Sequence, residues 1–464
     1  IALLSGQAWS AEMPEVNIPY ETFKLDNGLT VVVHEDRKAP IVAVSVWYNV
    51  GSRDEPQGKT GFAHLFEHLM FNGSENYDGE YFEPFEQVGA TGMNGTTWFD
   101  RTNYFETVPT PALDMALWME SDRMGHLLGA VTQEKLDNQT GVVQNEKRQG
   151  ENQPYGKTEY RILEGLFPAG HPYRHSTIGS MEDLSAASLE MVHEWFKQYY
   201  GAANTVLVLA GDISVEDARQ KVEKYFGDIE AGPPVKRMLA SVPYRAIDTH
   251  EIMYDRVPQA RVYHYWAVPG RTTQEAAQLR LAADVLGDGK NSRLYQALVY
   301  DTQLAVDVDV SVENHSLAGM FSIDVTLQPG ASMDEVNAII ERELQKFREE
   351  GPTSEELERA QTKINAQTVR GLEQIGGFGG KAVTLAQGQL YAGDPGFYKT
   401  RLGWINQATA DDVRQISQQW LGKGRYKLEV FPFGEHQTVA STVDRSKGLP
   451  AVGTMPDLVF PEVQ

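Results

Sequence analysis

Two kinds of hydrophobic pattern alternate along this chain. Residues 41–51, IVAVSVWYNVG, form a run of β-branched and aromatic side chains closed by a glycine, as strands do. Residues 260–270, ARVYHYWAVPG, repeat the pattern. Residues 192–210, VHEWFKQYYGAANTVLVLA, read instead as an amphipathic helix, a glycine stop at Gly201 and then a strand. Residues 413–431, VRQISQQWLGKGRYKLEVF, repeat that order around Gly422. The first pair is offset by 219 residues and the second by 221, so the pattern predicts two similar α/β halves. Further helices are predicted over 111–128, 183–200, 333–349 and 354–373. The last has Thr353 or Ser354 as its cap, with Glu355 and Glu356 in the first turn at the positive end of the dipole. Strands in groups separated by helix pairs predict an α+β layout.

A chain of 464 residues is too long for one ordinary core. Sustained periodicity lapses over residues 229–247, which carry Gly232-Pro233-Pro234 and Pro243. The expected organisation is an N-terminal arm at 1–17, a first domain at 18–231, a linker at 232–246 and a second domain at 247–436. An extended arm at 437–464, with Pro450, Pro456 and Pro461, completes it.

Composition narrows the partners. The formal charge is −23 and no five or six Lys/Arg cluster, which argues against nucleic acid and anionic membranes and for a basic or neutral polypeptide. Cysteine is absent, excluding disulfides, thiolate zinc sites and cysteine nucleophiles. Ile1–Leu4 is apolar and Gly6-Gln7-Ala8-Trp9-Ser10-Ala11 is rich in small residues, like the tail of a secretory signal peptide. The expectation is an exported protein, periplasmic or secreted. No other segment approaches the ~20 apolar residues of a membrane span.

Residues 61–71, GFAHLFEHLMF, carry the chemistry. As a helix, they place His64 and His68 on one face, with Phe62, Leu65, Phe66 and Leu69 toward a core. Two imidazoles spaced i, i+4 can both reach one zinc ion. Glu67 borders the same face without being forced onto the metal; the order is H-x-x-E-H, the inverted zincin arrangement. A catalytic zinc wants a third protein ligand and a fourth position for water. Glu146, in a predicted helix within VVQNEKRQGE (142–151), is the best candidate, with Glu134, Asp137 and Glu151 as alternatives. Glu67 would then act as general base on the water.

These segments resemble the M16 metallopeptidases. The resemblance spans nearly the whole chain: HLFEH, GMNGTTWFDRTNYFETVP (92–109), VVQNEKR and YYGAANTVLVLAGD (199–212). It implies two homologous domains, each an antiparallel sheet backed by helices, in the short-subunit form. It implies that Glu146 is the third zinc ligand, and that Asn94, Gly95, Thr96 and Thr97 lie beside the active site, where an unfolded peptide adds to a sheet edge within 92–106. Family members usually carry a glutamate seven residues before the third ligand, supporting the metal indirectly; here that position is Gln139. Active family sites also borrow an Arg and a Tyr, seven apart, downstream of an S-R-L-[FY] segment. Here Ser292-Arg293-Leu294-Tyr295 is present, but the pair falls on Val299 and Val306. The segment at 283–290, where the duplication places a second zinc helix, has no histidine. A related zinc-less subunit would then supply the pair, making this chain the catalytic member of a heterodimer.

The resulting expectation is a zinc endopeptidase acting on small unfolded peptides. Its competitors are a non-catalytic assembly subunit of an M16-like complex and a periplasmic solute-binding protein, which leaves Glu67 beside His64 and His68 without a role. Two motifs are set aside. HPYRH (171–175) holds a second i, i+4 histidine pair but reads as a loop because of Pro172. Residues 376–381, GGFGGK, lack the Ser/Thr of a phosphate loop, Ala382 standing there, and read as a turn between helices.

Overall fold

The runs at 41–51 and 260–270 become equivalent strands of two similar sheets. The computed structural model describes residues 16–433, and both predicted terminal arms lie largely or wholly outside that range. The strands are β1 (Glu21–Lys24), β2 (Thr30–Glu35), β3 (Ile41–Tyr48), β4 (Thr91–Thr97), β5 (Thr102–Pro109), β6 (Thr205–Gly211), β7 (Thr249–Asp255), β8 (Arg261–Val268), β9 (Ala305–Asn314), β10 (Gly319–Leu327) and β11 (Tyr426–Pro432). The first sheet runs β1-β2-β6-β3-β5-β4 and the second β7-β11-β8-β10-β9. Apart from β1, the two orders are the same, strand for strand, which is the structural form of the repeat seen in the sequence.

The sheets are mixed, not wholly antiparallel as expected. β2 pairs with β6, and β7 with β11, in parallel; the remaining pairs are antiparallel. The reason is topological. In each half the last strand returns, after the helices, to lie between β2 and β3 or between β7 and β8, and a parallel neighbour needs such a long crossover.

Helices of eight or more residues are α1 (Phe62–Leu69), α2 (Leu113–Gly125), α3 (Gln133–Asn152), α4 (Thr158–Leu166), α5 (Leu189–Tyr199), α6 (Val215–Phe226), α7 (Gln274–Gly287), α8 (Met333–Glu350), α9 (Ser354–Gly371), α10 (Lys381–Ala392), α11 (Phe397–Gln407) and α12 (Ala410–Leu421). Thr353 caps α9 in a full capping box with Glu356. The single helix predicted over 183–200 is two. A short turn, Met181–Ser185, precedes α5, whose first turn is capped by the Ser188 hydroxyl accepting from the Met191 amide.

The continuous apolar runs of β2, β3 and β6 follow from burial on both faces. On one face Val31, Val33, Val44, Val46, Leu207 and Leu209 pack with α1, α2 and α6. On the other, Val32, Ala43, Trp47, Val206 and Val208 meet Ala382, Val383, Leu385 and Ala386 of α10, which comes from the second half. The first half reciprocates: Ile162, Leu163 and Leu166 of α4 pack on Tyr263, Leu428 and Val430 of the second sheet. Each half therefore completes its neighbour's core. No helix among the described residues is long and apolar enough to cross a membrane.

Candidate metal centre

α1 is placed by its apolar side. Phe62, Leu65, Phe66 and Leu69 are buried in the first core, leaving His64 and His68 on the opposite face, toward α3. Its start is tightly constrained. Gly61 has φ +87°, and a Cβ there would stand 2.5 Å from the Ile178 carbonyl oxygen. The buried Glu55 carboxylate then accepts from the Gly61 amide at 3.0 Å and the Ala63 amide at 2.7 Å, using helix donors that would otherwise lack partners. Glu55→Ala is expected to destabilise the protein by about 2–4 kcal/mol, because two buried N–H groups lose a carboxylate acceptor. Urea unfolding checks this; an unchanged midpoint would contradict it.

The structure brings together the three residues singled out as ligands. His64 Nε2 lies 3.7 Å and His68 Nε2 3.5 Å from Glu146 Oε2, and donor atoms of all three lie within 4.8 Å of one another. The imidazole planes stand at 88°, with centroids 4.8 Å apart. Tetrahedral zinc with bonds of about 2.0–2.2 Å holds its ligand atoms about 3.3–3.6 Å apart, which the two histidine-to-carboxylate separations match closely. Burial, with His68 beside it, lowers the His64 pKa to about 4, so the ring is neutral at pH 7 and able to coordinate. The alternatives do not converge. Glu151 pairs with Lys147 at 2.9 Å, Asp137 accepts from Gln133 at 2.7 Å, and Glu134 is exposed on α3.

Glu67 is buried beside this group. Burial pushes its pKa up to about 7 against the opposing effects of a Thr97 hydrogen bond and the Arg101 guanidinium. Arg101 donates to the Thr96 carbonyl at 2.7 Å, which ties it to β4. The sequence motif at 92–109 contains Arg101 without giving it a role, and no motif reaches Glu55. An isolated charge carries no periodic signal; only the fold places these two.

β4 is an edge strand with one neighbour, β5, and a bulge between Thr91 and Asn94. The expected edge at 92–106 narrows to β4, since β5 is interior, between β3 and β4. Asn94 Oδ1 accepts from the Gly95 amide, the Thr96 hydroxyl donates to Asn103, and Thr97 turns to Glu67. Gly95 sits where a Cβ would come 2.7 Å from the Phe71 ring. Among the described residues Gln139 makes no hydrogen bond to an imidazole: its amide donates to Asn72 at 3.1 Å, and Asn72 donates to the His68 carbonyl at 2.8 Å. His64 Nδ1 is buried with no hydrogen-bond partner among the described residues.

In the second half, α7 contains no histidine, and Arg293 is committed elsewhere, with two bonds to Glu356 at 2.8 and 2.6 Å. Val299 is half-buried in the second core, and Val306 is exposed. In the HPYRH loop, His171 stacks on Phe167 at 4.6 Å, and His175 Nδ1 lies 3.5 Å from Glu55.

The described chain thus holds two similar mixed-sheet domains, one of them bearing a His-His-carboxylate cluster. Residues 30–165 match the family model for insulinase (peptidase family M16), and residues 186–364 match the M16 inactive domain. The chain belongs to the M16 peptidase family. It is 26% identical over 365 residues to the zinc protease PqqE of Helicobacter pylori, covering 76% of this chain and 80% of that protein. The crystal structure of a protease from Helicobacter pylori superposes with TM-score 0.82 at 23% identity, covering 89% of this chain and 99% of that one. The first half of the periplasmic protease PqqL from Escherichia coli superposes with TM-score 0.73 at 18% identity, covering 89% and 92%.

Proposed function

We propose that this chain is a zinc-dependent endopeptidase that hydrolyses small unfolded peptides. One observation carries the reading: His64, His68 and Glu146 converge at donor distances suited to zinc, with the buried Glu67 beside them. The name zinc protease borne by PqqE is consistent with it.

His64, His68 and Glu146 would hold the ion. Zinc bound there supplies a Lewis acid that polarises water and the scissile carbonyl. Glu67 takes a proton from the attacking water on a carboxylate oxygen and passes it to the departing amine nitrogen. Its pKa near 7 suits both transfers at neutral pH. Thr97 and Arg101 hold that carboxylate in place. The free edge of β4 offers unpaired backbone groups to which an extended peptide adds as a further strand, which selects unfolded substrates.

Neither Val299 nor Val306 can serve as the Arg/Tyr pair of active family sites, and Arg293 is engaged by Glu356. The catalytic unit is therefore a heterodimer with a related, zinc-less subunit. The purified chain alone is expected to cleave peptides at least about tenfold more slowly than with its partner; full activity from the lone chain would reject this arrangement. Export to the periplasm is proposed from the apolar and small residues at 1–11, and the PqqL structure is described as periplasmic.

A further inference from the structure

A cavity of about 490 Å³ lies between the β4–β5 turn of the first half and helices α7, α9, α10 and α11 of the second. Trp98 and Asp100 line it on one side; Arg271, Arg280 and Arg401 line it on the other. The chain carries 64 acidic residues against 41 basic ones, so an arginine needed only for structure has many possible partners. Two of these three are poorly provided for. Arg280 is paired with Asp284 on its own helix at 3.3 Å. The Arg271 guanidinium lies 4.0 Å from the Tyr391 ring, and among the described residues no hydrogen bond or ion pair reaches the side chain of Arg271 or Arg401. Arg401 itself is exposed at the rim of the cavity, beside the Arg271 and Arg280 charges.

The acids in the lining do not relieve this concentration of charge. Asp100 already accepts from Arg53 at 2.8 Å, Tyr173 at 2.6 Å and the Ser316 amide at 2.7 Å. Glu313, with its pKa pushed up to about 6 by burial, approaches His315 at 3.7 Å and no guanidinium within ion-pair distance. Like charges converging on one cavity repel one another, and an anionic guest relieves that repulsion.

We infer that this cavity is an anion subsite in which Arg271 and Arg401 receive a carboxylate of the bound peptide. Its position supports that occupant. β4 ends at Thr97, which touches Glu67, and the next residues of the turn, Trp98 and Asp100, form the cavity wall. A peptide laid along the β4 edge therefore passes the candidate metal centre and delivers one end to the guanidiniums. The planar guanidinium fork matches carboxylate geometry. This inference rests on the peptidase reading for its substrate, yet it is tested by binding alone.

The test uses the zinc-loaded full chain carrying Glu67→Gln, so that peptides stay intact. Fluorescence anisotropy compares three N-terminally labelled decapeptides of Ala, Ser and Gly: one neutral and amidated, one with a free C-terminal carboxylate, and one amidated with internal glutamates. At least one acidic version is expected to bind about tenfold more tightly than the neutral one, and which of them does so names the source of the carboxylate. Adding Arg401→Gln or Arg271→Gln is expected to erase the difference, whereas Arg401→Lys, which keeps the charge, preserves part of it; thermal melting confirms that each variant is folded. Equal binding of all three peptides overturns the inference. So does pyrophosphate binding without any peptide preference, which marks a site for free anions. A charge preference in the Glu67→Gln chain, beside an unsubstituted chain that cleaves nothing even with its partner subunit, leaves the subsite standing and removes the peptidase reading; cleavage by the unsubstituted chain without any charge preference does the reverse.

Discussion

Replacing Glu67 by glutamine is expected to cut peptide cleavage by roughly 10²–10⁴-fold while zinc content stays near one ion per chain. The two side chains are nearly isosteric, and Glu67 lies beside the three donors without belonging to their cluster. The amide can still bond Thr97, but it cannot accept a proton from water at neutral pH. Stability should not fall, because the exchange removes a buried carboxylate whose ionisation is already opposed by burial. Turnover with a single peptide, metal analysis and a thermal melt on one preparation check all three points. If zinc is lost instead, Glu67 is a ligand and the division of roles fails.

The second large effect concerns the ligands. His64→Ala, His68→Ala and Glu146→Gln are each expected to weaken zinc binding by roughly 100-fold or more, since zinc affinities of about 10–16 kcal/mol are shared among four bonds. The Glu146 variant is the most informative. Glu146 comes from α3, far from α1 in sequence, and its side chain is 45% exposed, so its removal leaves the fold little disturbed. Among the described residues no other carboxylate joins the cluster: Glu151 is paired with Lys147 and Asp137 is bonded to Gln133. Zinc titration by competition with a chromophoric chelator reads the loss directly. Full zinc affinity in Glu146→Gln would mean that the carboxylate is a neighbour and not a ligand.

Much of this was legible in the sequence because it is periodic. The i, i+4 spacing of His64 and His68 requires only a helix, and the flanking Phe and Leu residues say which way that helix faces. The repeat offset was carried by strand and helix patterns, and both sheets share their strand order. Other features have no local signature. A parallel β2–β6 pair depends on where the chain returns 170 residues later, and hydrophobic patterning is the same for either direction. The swap of α4 and α10 between the halves is equally silent, since an amphipathic helix does not declare which sheet it covers. Gln139 shows what position matching leaves to the fold. Its place in the family motif suggests indirect support for the metal, and the fold supplies the route: its amide bonds Asn72, which bonds the His68 carbonyl at the end of α1.

The central claim is that His64, His68 and Glu146 close on one zinc ion. Zinc K-edge X-ray absorption on the purified chain tests it most directly. Two imidazole nitrogens and a carboxylate oxygen at about 2.0–2.2 Å, with one oxygen shell component lost in Glu146→Gln, is the expected result. A chain that binds no zinc, or a spectrum unchanged by the Glu146 substitution, would contradict it.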